Sequence, residues 1–190
     1  MENSLKKKLE RNIWRTRKCR INASERMLSN AKYIEALNIY YSIFVIIVSL
    51  ISLTKHDNTL SIMSLSCSIA LTISIVYANA TGYRERYSSL KQNYIELQLL
   101  LDQLSCIADD DEDGIQIISN KYAELLKVSE NHIPLDYYKL KKSSTDDDLK
   151  LSPSEKWSFY LLYFCNGLWK IALVLLPIIV IILYYVWRNR

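Results

Sequence analysis

The chain has 190 residues, half of them apolar, and a formal net charge of +4. Three glycines and three prolines are too few for a loop-rich or β-rich fold and point to long helices. Four scattered cysteines, Cys19, Cys67, Cys106 and Cys165, form no C-x-x-C pair, which excludes a metal knuckle or a redox motif and reads as reduced thiols.

Residues 1–35 carry ten Lys or Arg against four Asp or Glu. They form a basic helical segment in which Leu5, Leu9 and Ile13 make one apolar stripe and Ala23, Met27, Ala31 and Ile34 another. The basic faces suit solvent and anionic lipid headgroups better than nucleic acid, and no direct nucleic-acid binding is expected. No cleavable signal peptide is visible, because the first apolar run begins too far into the chain.

Two apolar runs follow, Ala36 to Leu53 and Leu60 to Tyr77, separated only by Thr54-Lys55-His56-Asp57-Asn58-Thr59. As a helix each run rises about 27 Å, close to the roughly 30 Å hydrocarbon core of a bilayer. Residues 36–79 therefore read as a transmembrane helical hairpin. Lys and Arg are concentrated before the first run and after the second. The positive-inside rule thus puts the N-terminus and residues 83–167 in the cytoplasm and the turn, with His56, outside. The hairpin carries hydroxyl and amide stripes at helical spacing: Asn38, Ser42, Ser49 and Ser52 on the first run, and Ser61, Ser64, Ser68, Thr72 and Asn79 on the second. They fit tight helix–helix packing through small residues, or a pore-facing hydroxyl surface in an oligomer.

Residues 80–142 read as cytoplasmic helices. Tyr83, Tyr87, Leu90, Tyr94, Leu97, Leu101, Leu104 and Ala108 keep an unbroken 4-3 spacing, the seam of a coiled coil. The spacing continues back through Ala80, Val76, Ile73 and Ile69, so it predicts one helix from Leu60 to about Ala108. The seam packs either on the basic N-terminal helix or against other copies as an assembly seam. The acidic run Asp109-Asp110-Asp111-Glu112-Asp113 ends this helix and favours the start of the next, whose apolar face is Ile118, Tyr122, Leu125 and Leu126. The run lacks the ligand spacing of a calcium loop. Glu130, His132 and Asp136 are read as capping and turn residues.

Residues 143–156 form a polar linker, and residues 157–190 hold a third span, Ile171 to Trp187. Trp169 and Trp187 are placed to meet the two interfaces, and Pro177 is tolerated mid-span where a neighbour satisfies the carbonyl it frees. Arg188 and Arg190 mildly oppose the topology. The fold class is thus an all-α membrane protein: a transmembrane hairpin, a third C-terminal transmembrane helix and a cytoplasmic helical bundle. No phosphate loop, nucleophile elbow or metalloprotease helix is present, so neither an enzyme nor a cofactor is expected.

The chain resembles the SLATT family, two-helix membrane effectors of prokaryotic conflict systems. The resemblance rests on the order of degenerate motifs over roughly residues 5–142. They are Arg20-Ile21-Asn22-Ala23-Ser24-Glu25-Arg26, the hairpin, Tyr83-Arg84-Glu85-Arg86-Tyr87 through Tyr94-Ile95-Glu96-Leu97, Tyr122-Ala123-Glu124-Leu125-Leu126, Glu130-Asn131-His132 and Asp136-Tyr137. The third span resembles a subgroup found beside reverse transcriptases or nucleotide-signal synthases, which are the partners the resemblance implies besides the lipid bilayer and further copies of the chain. It also implies a multi-pass protein of the prokaryotic inner membrane, acting as an oligomeric pore-forming effector of antiphage abortive infection. A non-conducting anchor or scaffold for a defence enzyme is the alternative.

Overall fold

The computed structural model describes residues 5–55, 57–144 and 149–189; His56 of the turn, part of the polar linker and Arg190 lie outside them. Six helices and no strand occur among the described residues. They are α1 Leu5–Lys55, α2 Asn58–Ala80, α3 Tyr83–Ser105, α4 Glu112–Val128, α5 Pro134–Ser143 and α6 Pro153–Arg188. The chain divides into two compact units. One comprises residues through Ser29 with Arg84–Phe159, and the other Asn30–Tyr83 with Tyr160 onward.

In the first unit, α3 turns Leu90, Asn93, Leu97, Leu100 and Leu104 inward. This is the 3-4 spacing of one helix face. Leu97, Leu100 and Leu104 pack with Leu9 and Ile13 of α1 and with Ile115 and Ile118 of α4. Ile115 takes the place expected for Leu126, which stays partly exposed. Asp111 caps α4 by accepting the Gly114 amide at 2.9 Å. A Cβ on Gly114 would meet the same carboxylate at 2.5 Å, so a larger residue there would push the Asp111 cap aside. Pro134 opens α5, where it removes an amide that no helical carbonyl would have used. The Asp136 carboxylate accepts the Ile133 amide at 3.1 Å.

The second unit holds three apolar helical segments. In α1, α2 and α6 alike, only 11% of the most apolar 18-residue window is buried. Ile43, Ile46, Leu50, Ile62, Leu65, Ile73, Ile182 and Leu183 are all exposed. A monomer in water does not present that much contiguous apolar surface, and a helix apolar on every side is the form a bilayer selects. The structure is therefore that of a membrane protein with three spans.

Contacts within this unit fix the direction of each span. Ser49 pairs with Ser64 and Ser52 with Ser61, so α2 runs antiparallel to α1. The Tyr33 hydroxyl donates to the Lys170 carbonyl at 2.7 Å, Tyr41 donates to Leu173, and Arg188 reaches Asp57. α6 therefore runs parallel to α1, with its C-terminal end beside the hairpin turn. The turn is held by Asp57, whose carboxylate accepts the Thr59 amide at 2.9 Å and the Leu60 amide at 3.2 Å.

The helix expected to run unbroken from Leu60 to Ala108 is interrupted. α2 ends at Ala80, and Gly82 adopts φ 59° before α3 begins at Tyr83. The Gly82 amide donates to the Asn79 carbonyl at 3.1 Å, and the Thr81 hydroxyl to the Ala78 carbonyl at 2.7 Å. A left-handed residue at a helix C-terminus favours glycine, since a Cβ there meets the following carbonyl. Gly82→Ala is expected to destabilise the protein by about 1–2 kcal/mol, read as a lower Tm in detergent. An unchanged Tm would mean that a continuous helix is equally accessible.

Candidate functional site

The hydroxyl stripes of the hairpin divide into two groups. Ser49 and Ser52 of α1 meet Ser64 and Ser61 of α2, with Ser52 to Ser61 at 2.5 Å. Ser52 also donates to the Asp57 carbonyl at 3.0 Å. Ser52 and Ser64 are buried. Paired hydroxyls satisfy each other across a close helix contact in lipid. Ser68, Thr72 and Asn79 instead lie on the exposed side of α2. Thr72 donates back to the Ser68 carbonyl at 3.0 Å, and Ser42 to the Asn38 carbonyl at 2.8 Å, each within its own helix.

The seam residues from Tyr87 to Leu104 lie in the first unit, and Tyr83 falls in the second. Leu90, Leu97 and Leu104 are fully buried, while Tyr83, Tyr87, Tyr94 and Leu101 are half-buried. The leucines therefore face partners from the same chain.

A polar network of the first unit was not visible as such in the sequence. Asp136 is entirely buried and accepts from Arg26 Nε at 3.1 Å and Arg26 Nη2 at 3.0 Å. Asn22 donates to the Asp136 carbonyl at 2.9 Å. Arg20, 1% exposed, donates from Nη1 to the Glu130 carbonyl at 2.5 Å. Burial draws the Arg20 guanidinium below its ordinary pKa. Glu130 in turn receives Arg86 through Nε at 3.1 and 3.0 Å and Nη2 at 2.6 Å. Asn93 donates to the Leu125 carbonyl at 2.9 Å, near the end of α4. This network ties α1, α3, α4 and α5 together through groups more than thirty positions apart, which no local pattern announces. Asp136 thus both caps α5 and closes a buried ion pair. The His132 ring lies 6.3 Å from that of Tyr137.

At the turn end of the second unit, Asp57 also receives the Tyr184 hydroxyl at 2.5 Å and pairs with Arg188. The Tyr184 hydrogen bond, foremost among several donors, holds the Asp57 carboxyl below its usual pKa. Arg188, an odd charge by the positive-inside rule, is thus neutralised by the turn. Of the acidic run, Asp109 pairs with Lys6 at 2.8 Å and Asp111 serves as the α4 cap. Among the described residues no three His, Cys, Asp or Glu side chains are grouped to hold a metal ion.

Fold and contacts define a helical membrane protein in which a packed two-helix hairpin is joined to a polar-braced helical unit. The chain matches the SMODS and SLOG-associating 2TM effector domain family 5 over residues 2–183, and it belongs to that family. The matched range is wider than the motif order alone indicated and takes in most of the third span. Among curated proteins and among solved structures, nothing matches.

Two outcomes are expected. Arg26→Leu leaves the buried Asp136 carboxylate uncompensated and should cost about 3–5 kcal/mol, while Arg26→Leu with Asp136→Asn should cost less. Thermal unfolding of both variants checks this, and a loss below about 1 kcal/mol for the single change would contradict the buried pair. Cys19 is buried, and desolvation pushes its thiol up to about 11. Only the thiolate is alkylated, so at pH 8 Cys19 should react roughly tenfold or more slowly than the exposed Cys106. Equal rates on the folded protein would contradict its burial.

Proposed function

We propose that this chain is an oligomeric membrane effector of prokaryotic conflict systems, and that assembled hairpins permeabilise the cell membrane. The observation that carries the reading is the exposed stripe Ser68, Thr72 and Asn79 on α2, where Ser66 and Ser74 are exposed as well. Polar groups facing lipid are unfavourable, and further copies that turn the same stripe inward would cover it or line a water path. One hairpin cannot enclose such a path, so the reading requires oligomers. Hydroxyls and amides without ionisable groups suit a poorly selective pore.

In this reading the chain sits in the inner membrane of a prokaryote, with the N-terminus and residues 83–167 in the cytoplasm, following the basic residues. Its first unit receives the trigger. Antiphage defence by abortive infection is the setting, and a reverse transcriptase or nucleotide-signal synthase encoded nearby is the proposed partner. The chain itself is no enzyme.

A second reading, a non-conducting anchor for a defence enzyme, is favoured by the burial of the Leu90, Leu97 and Leu104 seam within one chain. That seam is then a core and not an assembly surface. A charge at Leu97 would disrupt the first unit itself, so assembly is better probed at the α2 stripe.

Expression from a tight inducible promoter in bacteria, followed with a membrane-potential dye, separates the readings. The pore account expects depolarisation by the wild type and its loss in an equally expressed, membrane-inserted Ser68→Leu/Thr72→Leu/Asn79→Leu variant. Depolarisation by both would contradict a hydroxyl-lined path. With depolarisation by neither, the anchor reading gains.

A further inference from the structure

Pro177 lies inside α6 and is fully buried. A proline has no amide hydrogen, so the carbonyl four residues earlier loses its helical donor. That carbonyl belongs to Leu173, in the apolar part of the helix. In hydrocarbon no water replaces the missing donor, and the group must be satisfied by protein. The Tyr41 hydroxyl, from α1, donates to the Leu173 carbonyl at 2.8 Å.

Neighbouring contacts join the same two helices. Tyr40 donates to the Val174 carbonyl at 3.1 Å, and the Tyr40 and Tyr41 rings meet edge to face with centroids 5.7 Å apart. Tyr33 donates to the Lys170 carbonyl at 2.7 Å, and the Lys170 ammonium bonds Asn30 at 3.0 Å. Three tyrosines of one helix thus bond three carbonyls of another. Regular helix geometry gives the Lys170 and Val174 carbonyls amide partners at Val174 and Ile178. The carbonyl of Leu173 alone among the three has its helical partner removed by the proline.

We propose that Tyr41 and Pro177 form a hydrogen-bonded latch between the first and third spans. The proline creates an acceptor inside the membrane that a donor on α1 satisfies, so α6 is held at one point along its length. When the bond opens, α6 pivots at Pro177 and the Leu173 carbonyl must be hydrated. Release of the third helix and entry of water at that depth are then one event. The third helix is held in this way whether or not the assembled protein conducts ions.

The test uses the full chain in lipid nanodiscs as wild type, Tyr41→Phe, Tyr40→Phe, Pro177→Ala and Pro177→Ala/Tyr41→Phe. Amide hydrogen exchange of residues 171–181 and Tm are both read. Tyr41→Phe should raise exchange in this segment roughly tenfold and lower Tm by about 3 °C or more. Tyr40→Phe should do markedly less, since its acceptor keeps the Ile178 amide. In the Pro177→Ala background the restored amide bonds Leu173, and Tyr41→Phe should lose most of its effect. An equal effect of Tyr41→Phe in both backgrounds, or none in either, would overturn the latch and leave Tyr41 as a packing residue. If Pro177→Ala does not insert, Pro177→Leu restores the same amide and serves in its place.

Discussion

The second unit depends on one constraint: in hydrocarbon, every polar group must find its partner within the protein. Helices meet the constraint for most of the backbone, and what remains is met by named side chains. Ser49 with Ser64 and Ser52 with Ser61 close the hairpin contact. The Asp57 carboxylate takes the first free amides of α2 and then binds Tyr184 and Arg188 at the end of α6. The Tyr41 hydroxyl takes the carbonyl that Pro177 leaves without a donor. α1, α2 and α6 thus meet through these polar pairs and through the apolar cluster of Val48, Leu60 and Tyr184. The exposed surface is mostly apolar, and on α2 it also carries Ser66, Ser68, Thr72, Ser74 and Asn79.

The first unit follows different physics, because hydrophobic burial drives it. Its α3 leucines bury against Leu9 and Ile13 of α1 and against α4. The basic residues of α1 are not all solvated, since Arg20 and Arg26 turn inward onto the α4–α5 connection and Asp136. A buried ion pair contributes little net stability, and losing one partner is expensive. The pair joins α5 to α1 through Asp136 and Arg26. α1 contributes to both units: an apolar stripe with Leu9 and Ile13 to the first, and a mostly apolar stretch interrupted by Asn38, Ser42, Ser49 and Ser52 to the second.

Much of this was legible in the sequence because it depends on composition over a window. The three spans show as long uncharged runs, and of the buried face of α3 the spacing of Tyr and Leu marks Leu90, Leu97 and Leu104 but not Asn93 or Leu100. The acidic run that holds Asp111 marks the start of α4 by local chemistry. Three features were hidden for physical reasons. The break at Gly82 is invisible to periodicity, because the apolar spacing runs through it while the backbone conformation changes at one residue. The Arg26–Asp136 pair joins positions 110 residues apart, and nothing local distinguishes those two charges from their solvated neighbours. For Pro177, the freed carbonyl could be read from the sequence, but its donor could not, because either neighbouring span carried tyrosines or hydroxyls enough to supply one.

The most direct test of the account is the side of the membrane reached by each end of the three helices. In a background without the native cysteines, Lys7→Cys, Asn58→Cys and Asn189→Cys would be labelled one at a time with a membrane-impermeant maleimide on intact spheroplasts and again after lysis. Three spans with α6 parallel to α1 predict that positions 58 and 189 behave alike and that position 7 behaves oppositely. Agreement of position 189 with position 7, or one accessibility for all three, would contradict it.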